Sequence, residues 1–310
     1  MIYLILHILG NAAFLLLIRL ARAHPREYLL IGAVNYAVGA VIAGAMLSWA
    51  SAPTLTALAL GGVNGVQYQL TFVLFYALIG RSGVAVAVSL TRLAAAVPTM
   101  ASIVLWREYP NSWQTVGLAL AAVALPLLGG ATASSSTNAA SDPPAMARSP
   151  RRWWIGGAGN AAFLAGVLLI VGSGFLAAKT FAEVSTPDQR PAYIFGTYAT
   201  ATLLSALLWP LRGRIVSDRS ATAGSHSPRG AYRFAIALGV IVGVLNVAQI
   251  EMLLRALTIV RGTIVFPLSS AVSLAMAAAG GWLFWREPLR GRAAWGVAIT
   301  IAAAVFMNLR

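Results

Sequence analysis

The sequence contains no cysteine. Disulfides, thiolate metal ligands and thiol nucleophiles are therefore excluded. Histidine is also scarce, and the three residues, His7, His24 and His226, are scattered along the chain, a distribution that disfavours a histidine metal cluster. We therefore predict neither a bound metal nor a cofactor.

Charge of either sign is scarce as well. Charged residues make up 10% of the 310 residues, hydrophobic residues make up 59%, and the mean hydropathy is +0.79. Because so few charges cannot cover a soluble globule of this size, the composition predicts an integral membrane protein in contact with the lipid bilayer. A net charge of +14 would suggest nucleic-acid binding in a soluble protein. Here almost every Arg ends an apolar run, which indicates membrane topology, and we predict no nucleic-acid partner.

Long apolar runs are what the sequence has in abundance. A helix needs about 20 mostly apolar residues to cross a bilayer, and lipid admits only helices or closed barrels. The runs are too long and too continuous for barrel strands, so we predict an all-α integral membrane protein with ten transmembrane helices. The predicted spans are 2–20, 28–48, 54–79, 83–105 and 113–128, followed by 153–178, 191–211, 232–260, 263–285 and 292–309.

A polar stretch separates the spans into two groups of five. Residues 129–152 are rich in Ser, Thr, Asn, Ala and Pro, a composition typical of a flexible linker. We therefore predict a first five-helix repeat at 1–128, the linker at 129–152 and a second five-helix repeat at 153–310.

A short motif supports the duplication. Trp-Arg-Glu occurs at 106–108, at the end of the fourth run, and again at 285–287, at the end of the ninth. The same spacing aligns Gly83 with Gly262, and a fixed offset over several helical turns favours an internal repeat. We expect the Glu of each motif, Glu108 in the first copy, to start the following helix, where its charge opposes the positive helix end.

Orientation follows from the number of helices and from the basic residues. An odd number of helices in each half inverts the second repeat relative to the first, as in many secondary transporters. Apart from Arg92, the odd-numbered connections carry 15 Lys and Arg residues, whereas the even-numbered connections and the C-terminus carry six. The positive-inside rule then places both termini outside. We predict a multi-pass protein of the cell's inner membrane.

Ten helices in two inverted halves, with Glu108 and Glu287 after the fourth and ninth runs and Gly117 and Gly296 beyond them, resemble the EamA-type drug/metabolite transporter superfamily. The resemblance covers nearly the whole chain apart from the linker. It implies transport of small metabolites or drugs by alternating access between the halves. Two features depart from the family pattern. Many members have Gly immediately before this Glu, where this sequence has Arg107, and the familiar members keep both termini in the cytoplasm.

Polar residues in the fourth and ninth runs are candidates for substrate contact. Arg92 lies about ten residues into the fourth run, where insertion of an Arg costs about 2.5–3.5 kcal/mol. It either pairs with a neighbouring helix or binds an anionic part of the substrate. Ser269 and Ser270 follow Pro267, which frees backbone carbonyls, and these hydroxyls either bind the carbonyls or contact substrate.

Side-chain amides are concentrated in the third and eighth runs, which occupy matching places in the two halves. Gln67 aligns with Asn246, and Asn64, Tyr68 and Gln249 lie near them. Such groups either hold helices together through hydrogen bonds or line a central cavity. We predict that they contribute to a substrate site.

Glycines predict both packing and a turn. Gly61 with Gly65, and Gly239 with Gly243, give the third and eighth runs small-xxx-small faces for close helix packing. The Gly-Arg-Ser-Gly sequence at 80–83 predicts a tight connection between the third and fourth spans.

Glu251 is the only acidic residue well inside a predicted span, and Arg255 follows one helical turn later. The i, i+4 spacing allows the two side chains to pair on one helix face. They form either an ion pair near the membrane boundary or a coupling site at which Glu251 exchanges a proton during transport.

These features predict a secondary active transporter that moves a small metabolite or drug-like solute by alternating access, driven by protons or by exchange. The alternatives are a membrane-embedded lipid-modifying enzyme and a non-transporting accessory membrane protein. We predict no enzyme, because catalysis needs paired carboxylates, a Ser with a base, or metal ligands. The expected partner is a small-molecule substrate. One chain holds both halves, so a monomer suffices for the site, and a homodimer is also compatible.

Overall fold

Residues 1–21, 27–49, 52–134, 157–211, 229–285 and 291–309 are described by the computed structural model. Within these ranges the chain forms ten α-helices and no β-strand, which confirms the all-helical prediction for this part of the chain. The helices are α1 Ile2–Ala21, α2 Tyr28–Leu47, α3 Leu55–Leu93, α4 Ala96–Val104, α5 Ser112–Ser134, α6 Gly157–Val184, α7 Arg190–Leu208, α8 Arg229–Leu257, α9 Gly262–Trp285 and α10 Arg292–Asn308.

Five helical stretches in the described ranges are long and apolar enough to cross a membrane. Shorter apolar helices accompany them, in α1, α4, α5 and α10. The five long stretches are Tyr28–Leu47, Ala165–Val184, Pro187–Leu208, Gly230–Leu257 and Gly262–Phe284.

On these helices, polar side chains are buried in the protein interior and large apolar side chains are exposed on its surface. Asn35 and Thr197 are buried. In contrast, Val41 is 73% exposed, Leu203 is 65% exposed and Leu207 is 71% exposed. Large apolar side chains exposed in this number are unfavourable in water and favourable in lipid. The distribution therefore agrees with the composition in indicating a membrane protein.

The chain divides into two compact units. Residues 2–73 and 180–258, here called the amide unit, hold α1, α2, the first part of α3, α7 and α8. Residue 1 with residues 74–179 and 259–310, here called the Glu108 unit, holds the rest of α3 with α4, α5, most of α6, α9 and α10. Each unit therefore combines stretches from both predicted repeats, whose boundaries stay a prediction.

Glycines allow close helix packing in the amide unit, where α2 packs against α7 and α8, and α1 packs against α8. A Cβ added to Gly65 would lie 2.3 Å from the Thr197 carbonyl oxygen of α7, and one added to Gly61 would lie 2.2 Å from the Tyr193 carbonyl oxygen. On α8, a Cβ at Gly243 would lie 2.8 Å from the Asn35 carbonyl oxygen. The small-xxx-small prediction is confirmed for both helices, since Gly239 likewise contacts α2.

In the Glu108 unit, α9 packs against α4, α5 and α10, and α10 also packs against α5. The rings of Trp113 and Phe306 stack at 5.8 Å between centroids. The Asn111 side chain caps α5, because its Oδ1 accepts a hydrogen bond from the Gln114 backbone N–H at 2.7 Å. The Gln114 side chain accepts a bond from the Asn111 backbone N–H in return, so α5 begins with a capping box.

The third and fourth predicted spans are joined differently from the prediction. Residues 80–83 are helical, so the expected tight connection there is not observed, and α3 continues to Leu93. The break falls instead at Ala94 and Ala95, where the Ala95 N–H bonds to the Arg92 carbonyl three residues earlier. Pro98 explains its position, because the proline has no N–H to donate to the Ala94 carbonyl and its ring clashes with that group.

The observed start of the polar stretch also differs from the predicted start of the linker. Residues 129–134 are helical and complete α5, so the polar stretch begins later than the predicted 129. The rest of the predicted linker, and residues 153–156 of the predicted second repeat, lie outside the described residues.

Candidate functional site

Four polar side chains form a chain of hydrogen bonds across three apolar helices of the amide unit. The Gln249 side-chain amide donates to Asn246 Oδ1 at 3.1 Å. Asn246 in turn donates to Asn35 Oδ1 on α2 at 3.0 Å. On α1, His7 Nδ1 bonds to the Gln249 backbone carbonyl at 2.9 Å, which makes Nδ1 the protonated nitrogen of the ring. The network therefore links α1, α2 and α8 through two buried residues, His7 and Asn35, and two half-buried ones, Asn246 and Gln249.

Two of the predicted site residues, Asn246 and Gln249, are brought together by this network. The sequence indicates both residues, because amides are rare in apolar runs. It does not reveal which helices carry their hydrogen-bond partners. Asn35 and His7 are the partners that complete the network. Their signal in the sequence is the same one, a polar residue within an apolar run, and His7 also lies one helical turn before Asn11.

Asn64 and Gln67, also predicted, make separate contacts. The Asn64 amide donates to Thr197 Oγ1 on α7 at 3.3 Å, and Thr197 Oγ1 donates to the Tyr193 carbonyl at 3.0 Å. The Gln67 amide donates to Thr71 Oγ1 within α3 at 2.6 Å. Asn64 therefore connects α3 with α7, whereas this bond of Gln67 lies within its own helix.

Tyr68, the fifth predicted side chain in this unit, belongs to an aromatic cluster. Its ring lies 6.5 Å from that of Tyr36 and 6.1 Å from that of Tyr198, which it meets edge to face. Tyr36 contacts Phe72 at 6.1 Å, and Phe72 stacks on Tyr28 at 4.5 Å. The cluster therefore extends over α2, α3 and α7.

Two tyrosine hydroxyls on α7 are buried without a hydrogen bond to any described residue. They belong to Tyr193 and Tyr198, whose side chains are fully buried. Buried polar atoms normally have a partner, and an unpaired one costs about 1–3 kcal/mol. These hydroxyls are therefore candidates for contact with a bound polar group.

A charged cluster lies at the C-terminal end of α8. Arg255 Nε donates to Glu251 Oε1 at 2.6 Å, which confirms the pairing expected from the i, i+4 spacing. Arg190, the first residue of α7, approaches the same oxygen at 4.0 Å. The Arg255 guanidinium also lies 5.6 Å from the centre of the Tyr3 ring. The second carboxylate oxygen, Glu251 Oε2, is buried and makes no hydrogen bond within the described residues.

Arg92, Ser269 and Ser270 lie in the other unit. Arg92 is buried and lies in the last turn of α3, not in the middle of a helix as the predicted span implied. A cation is favoured there by the negative end of the helix dipole. Ser269 Oγ donates to the Phe266 carbonyl within α9 at 3.1 Å, as expected if the hydroxyl binds backbone. Ser270 is buried on the same helix.

The Glu108 unit contains a buried ion pair that was not predicted. Lys179, the only lysine of the chain, lies 2.6 Å from Glu108 Oε1 and its side chain is 1% exposed. Its ammonium group also lies 5.6 Å from the centre of the Trp106 ring. The other carboxylate oxygen, Glu108 Oε2, accepts a hydrogen bond from the Thr263 backbone N–H in the first turn of α9 at 3.2 Å.

The Glu108 carboxylate therefore opposes the positive end of a helix, but that helix is α9 and not α5, the helix expected from the sequence. Its carboxylate caps α9, whereas α5, which follows it in the chain, is capped by Asn111. Arg107 makes this placement possible through a left-handed backbone conformation, with φ of 53°. This conformation costs a non-glycine residue about 1–2 kcal/mol. Glu287, the counterpart of Glu108, lies outside the described residues.

Comparison with known proteins finds solved structures that share the fold of this chain. No protein-family model matches the sequence, and no curated protein matches it. Fourteen chains of solved structures are similar to it. One crystal structure is 18% identical, covers 98% of this chain and 98% of its own, and has a TM-score of 0.64. An identity this low establishes a shared fold and carries no function. The class defined so far is an all-helical protein, in its described residues, with five helical stretches long and apolar enough to cross a membrane.

Proposed function

We propose that the chain is a secondary active transporter of the EamA-type drug/metabolite transporter superfamily. In this proposal ten helices cross the inner membrane as two inverted five-helix repeats, and a small metabolite or drug-like solute moves by alternating access. The five long apolar stretches and the sequence repeat support it. Inverted repeats of this kind are frequent among secondary transporters.

The observation that carries the proposal is the hydrogen-bonded chain from His7 through Gln249 and Asn246 to Asn35. Polar side chains inside apolar membrane helices are costly to insert, and they commonly mark the path of a substrate or ion.

The neutral amides and tyrosines of the amide unit suit a small polar solute. Asn246 and Gln249, with Asn64, Gln67 and Tyr68, would supply donors and acceptors without a fixed charge. Glu251, whose carboxylate pairs with the Arg255 guanidinium, would serve as the coupling group. Arg92, Ser269 and Ser270 stay sequence predictions of substrate contact.

An exchange assay that needs no named substrate tests the proposal. Proteoliposomes are loaded with an isotopically labelled cell metabolite extract and placed in an unlabelled extract, and exchange is followed by mass spectrometry. We expect at least one small polar metabolite to exchange. Asn246→Leu should slow that exchange at least about tenfold, because loss of the amide leaves Asn35 and Gln249 unpaired at about 1–3 kcal/mol.

The matched control is Asn308→Leu, since Asn308 is exposed and donates only to a carbonyl of its own helix among the contacts described. It should exchange at the wild-type rate. In the same liposomes, Glu251→Gln should retain exchange but lose accumulation driven by an imposed pH gradient. Accumulation by Glu251→Gln equal to that of the wild type would remove Glu251 from the coupling role.

A further inference from the structure

The Glu108 carboxylate is held in the Glu108 unit in the way that a bound carboxylate is held at the N-terminus of a helix. Its Oε1 accepts a hydrogen bond from Lys179 Nζ at 2.6 Å, and its Oε2 accepts one from the Thr263 backbone N–H at 3.2 Å. Thr263 is the second residue of α9, a helix of 24 residues. A helix N-terminus attracts anions, because its backbone N–H groups and the positive end of its dipole point toward them.

Two buried hydroxyl groups adjoin this carboxylate. Ser102 Oγ on α4 and Thr263 Oγ1 make no hydrogen bond within the described residues, and the two residues are 0% and 4% exposed. A Cβ added to Gly262, the first residue of α9, would overlap Ser102 Oγ and would lie 3.2 Å from Lys179 Cε. The Ser102 hydroxyl therefore lies beside both the α9 N-terminus and the lysine. Buried hydroxyls normally have a hydrogen-bond partner, and the Glu108 carboxylate serves neither of these two.

The surroundings of Glu108 favour an anion over a cation. The Glu108 side chain is 13% exposed, whereas that of Lys179 is 1% exposed, so the carboxylate lies on the solvent side of the ammonium group. Arg107 and Arg261 are exposed nearby, and Arg261 donates to the Tyr109 carbonyl at 3.3 Å. Positively charged side chains raise the local concentration of anions. An anion that approaches this face of the unit is therefore attracted toward the Lys179 ammonium group.

The segment that carries Glu108 is strained. Arg107 has a left-handed backbone conformation, with φ of 53°, which is unfavourable for a residue with a side chain. Strain of this kind is typical of functional segments. If Glu108 leaves its position, Arg107 is free to adopt a relaxed conformation, which offsets part of the cost of separating Glu108 from Lys179.

We propose that the N-terminus of α9, together with Lys179 and Ser102, forms a binding site for a small carboxylate, and that Glu108 is its tethered occupant. A free carboxylate takes the place of the Glu108 carboxylate on Lys179 Nζ and on the Thr263 N–H. It accepts further hydrogen bonds from the two hydroxyls, and such bonds to an ionised acceptor are strong. Glu108, already partly exposed, then turns toward solvent. Binding at this site does not depend on the proposed transport function.

Acetate is the matched probe, because Glu108→Ala removes a methylene group and a carboxylate, the same heavy atoms that acetate contains. Lys179 is the only lysine of the chain, so protein labelled with [13Cε]lysine reports on this site through a single side-chain resonance. Full-length protein in mild detergent micelles is titrated with sodium acetate and, separately, with acetamide, which has the same shape and no charge. In Glu108→Ala the Lys179 resonance should shift and saturate with acetate, and acetamide should give no saturable shift.

Competition predicts an order of affinities for acetate. A tethered group has an effective concentration in the millimolar range or above, so the wild type should bind acetate at least about tenfold more weakly than Glu108→Ala. Glu108→Gln keeps the bulk of the side chain but lacks the charge, and its affinity should fall between the two. If Glu108→Ala does not fold, the comparison of Glu108→Gln with the wild type makes the same test.

The hydroxyls are tested by substitutions in the same Glu108 variants. Ser102→Ala and Thr263→Val should each weaken acetate binding at least about tenfold, because each removes a hydrogen bond to a charged group. Thr115→Val makes the matched change at an exposed hydroxyl of α5 and should leave the affinity unchanged. The site would be overturned by any of three results: no saturable shift with acetate, equal affinities in the wild type and the Glu108 variants, or an affinity that the Ser102 and Thr263 substitutions do not alter.

Liposome exchange distinguishes this site from the transport proposal. Acetate binding with the expected order, in a protein that exchanges no metabolite, would sustain the site and refute the proposed function. Metabolite exchange by a protein that binds no acetate, in any of these variants, would refute the site and leave the proposed function standing.

Discussion

Removal of the Glu108 carboxylate should leave the buried Lys179 ammonium group without its counter-charge. The Lys179 side chain is 1% exposed and its Nζ lies 2.6 Å from Glu108 Oε1. Loss of one partner of a buried ion pair costs about 3–5 kcal/mol of folding free energy. Glu108→Ala also deprives the Thr263 N–H at the start of α9 of its acceptor, and a lost helix cap costs about 1 kcal/mol. We therefore expect Glu108→Ala to lower the free energy of unfolding by about 4–6 kcal/mol.

Substitutions that remove the charge but keep the shape of the side chain separate the contribution of the ion pair from that of the α9 helix cap. Glu108→Gln keeps an oxygen acceptor but removes the charge, so its cost should be smaller, about 2 kcal/mol. Lys179→Met removes the ammonium group and fills similar space. When both are combined, no buried charge remains at the pair, and the double variant should lie within about 1 kcal/mol of the wild type. The effects of the two single substitutions on the free energy of unfolding should therefore be strongly non-additive.

Unfolding by SDS in mixed micelles, followed by tryptophan fluorescence, measures these differences. Leu105→Ala is the control, because Leu105 lies in the same segment and is 65% exposed, and it should change stability by less than about 0.5 kcal/mol. Additive effects of Glu108→Gln and Lys179→Met, or a cost below about 1 kcal/mol for Glu108→Ala, would refute the description of this pair as a buried and mutually dependent contact.

Two further predictions use the same unfolding assay. Gly65→Ala should destabilise by about 1–3 kcal/mol, because its Cβ would overlap the Thr197 carbonyl. Gly62→Ala, whose Cβ would have its nearest neighbour at 3.5 Å, should be neutral or stabilising by up to about 1 kcal/mol, and equal effects at the two positions would contradict the packing described. Arg107→Gly should stabilise by about 0.5–1 kcal/mol, because glycine adopts the left-handed conformation without strain but gains entropy when unfolded. Arg107→Ala keeps the strain, so equal stabilities of the two Arg107 variants would disprove this explanation.

Much of the helical layout could be predicted from the sequence, because apolar runs of bilayer length have few alternatives to a helix. The second helix was expected at 28–48 and is Tyr28–Leu47, and the ninth was expected at 263–285 and is Gly262–Trp285. The prediction failed at 80–83, where glycines indicated a turn and the chain is helical. Backbone propensity there is a matter of about one or two kcal/mol, which tertiary packing readily overrides.

The polar contacts were predictable only in part. Amides within apolar runs identified Asn246 and Gln249, since such residues are costly in lipid and need a partner. The identity of that partner depends on which helices pack together, and only the structure places Asn35 beside Asn246. The same limit applies to Lys179 and Glu108, which are 71 positions apart. A single lysine at the end of an apolar run was the available signal, but it does not name the carboxylate.

Metabolite exchange across proteoliposomes tests the transporter proposal most directly. The proposal predicts that folded wild-type protein exchanges at least one small polar metabolite from the labelled extract, and that Asn246→Leu slows this exchange at least about tenfold while Asn308→Leu does not. Exchange by the wild-type protein no faster than by protein-free liposomes, with the protein shown to be folded by its SDS unfolding transition, would contradict it.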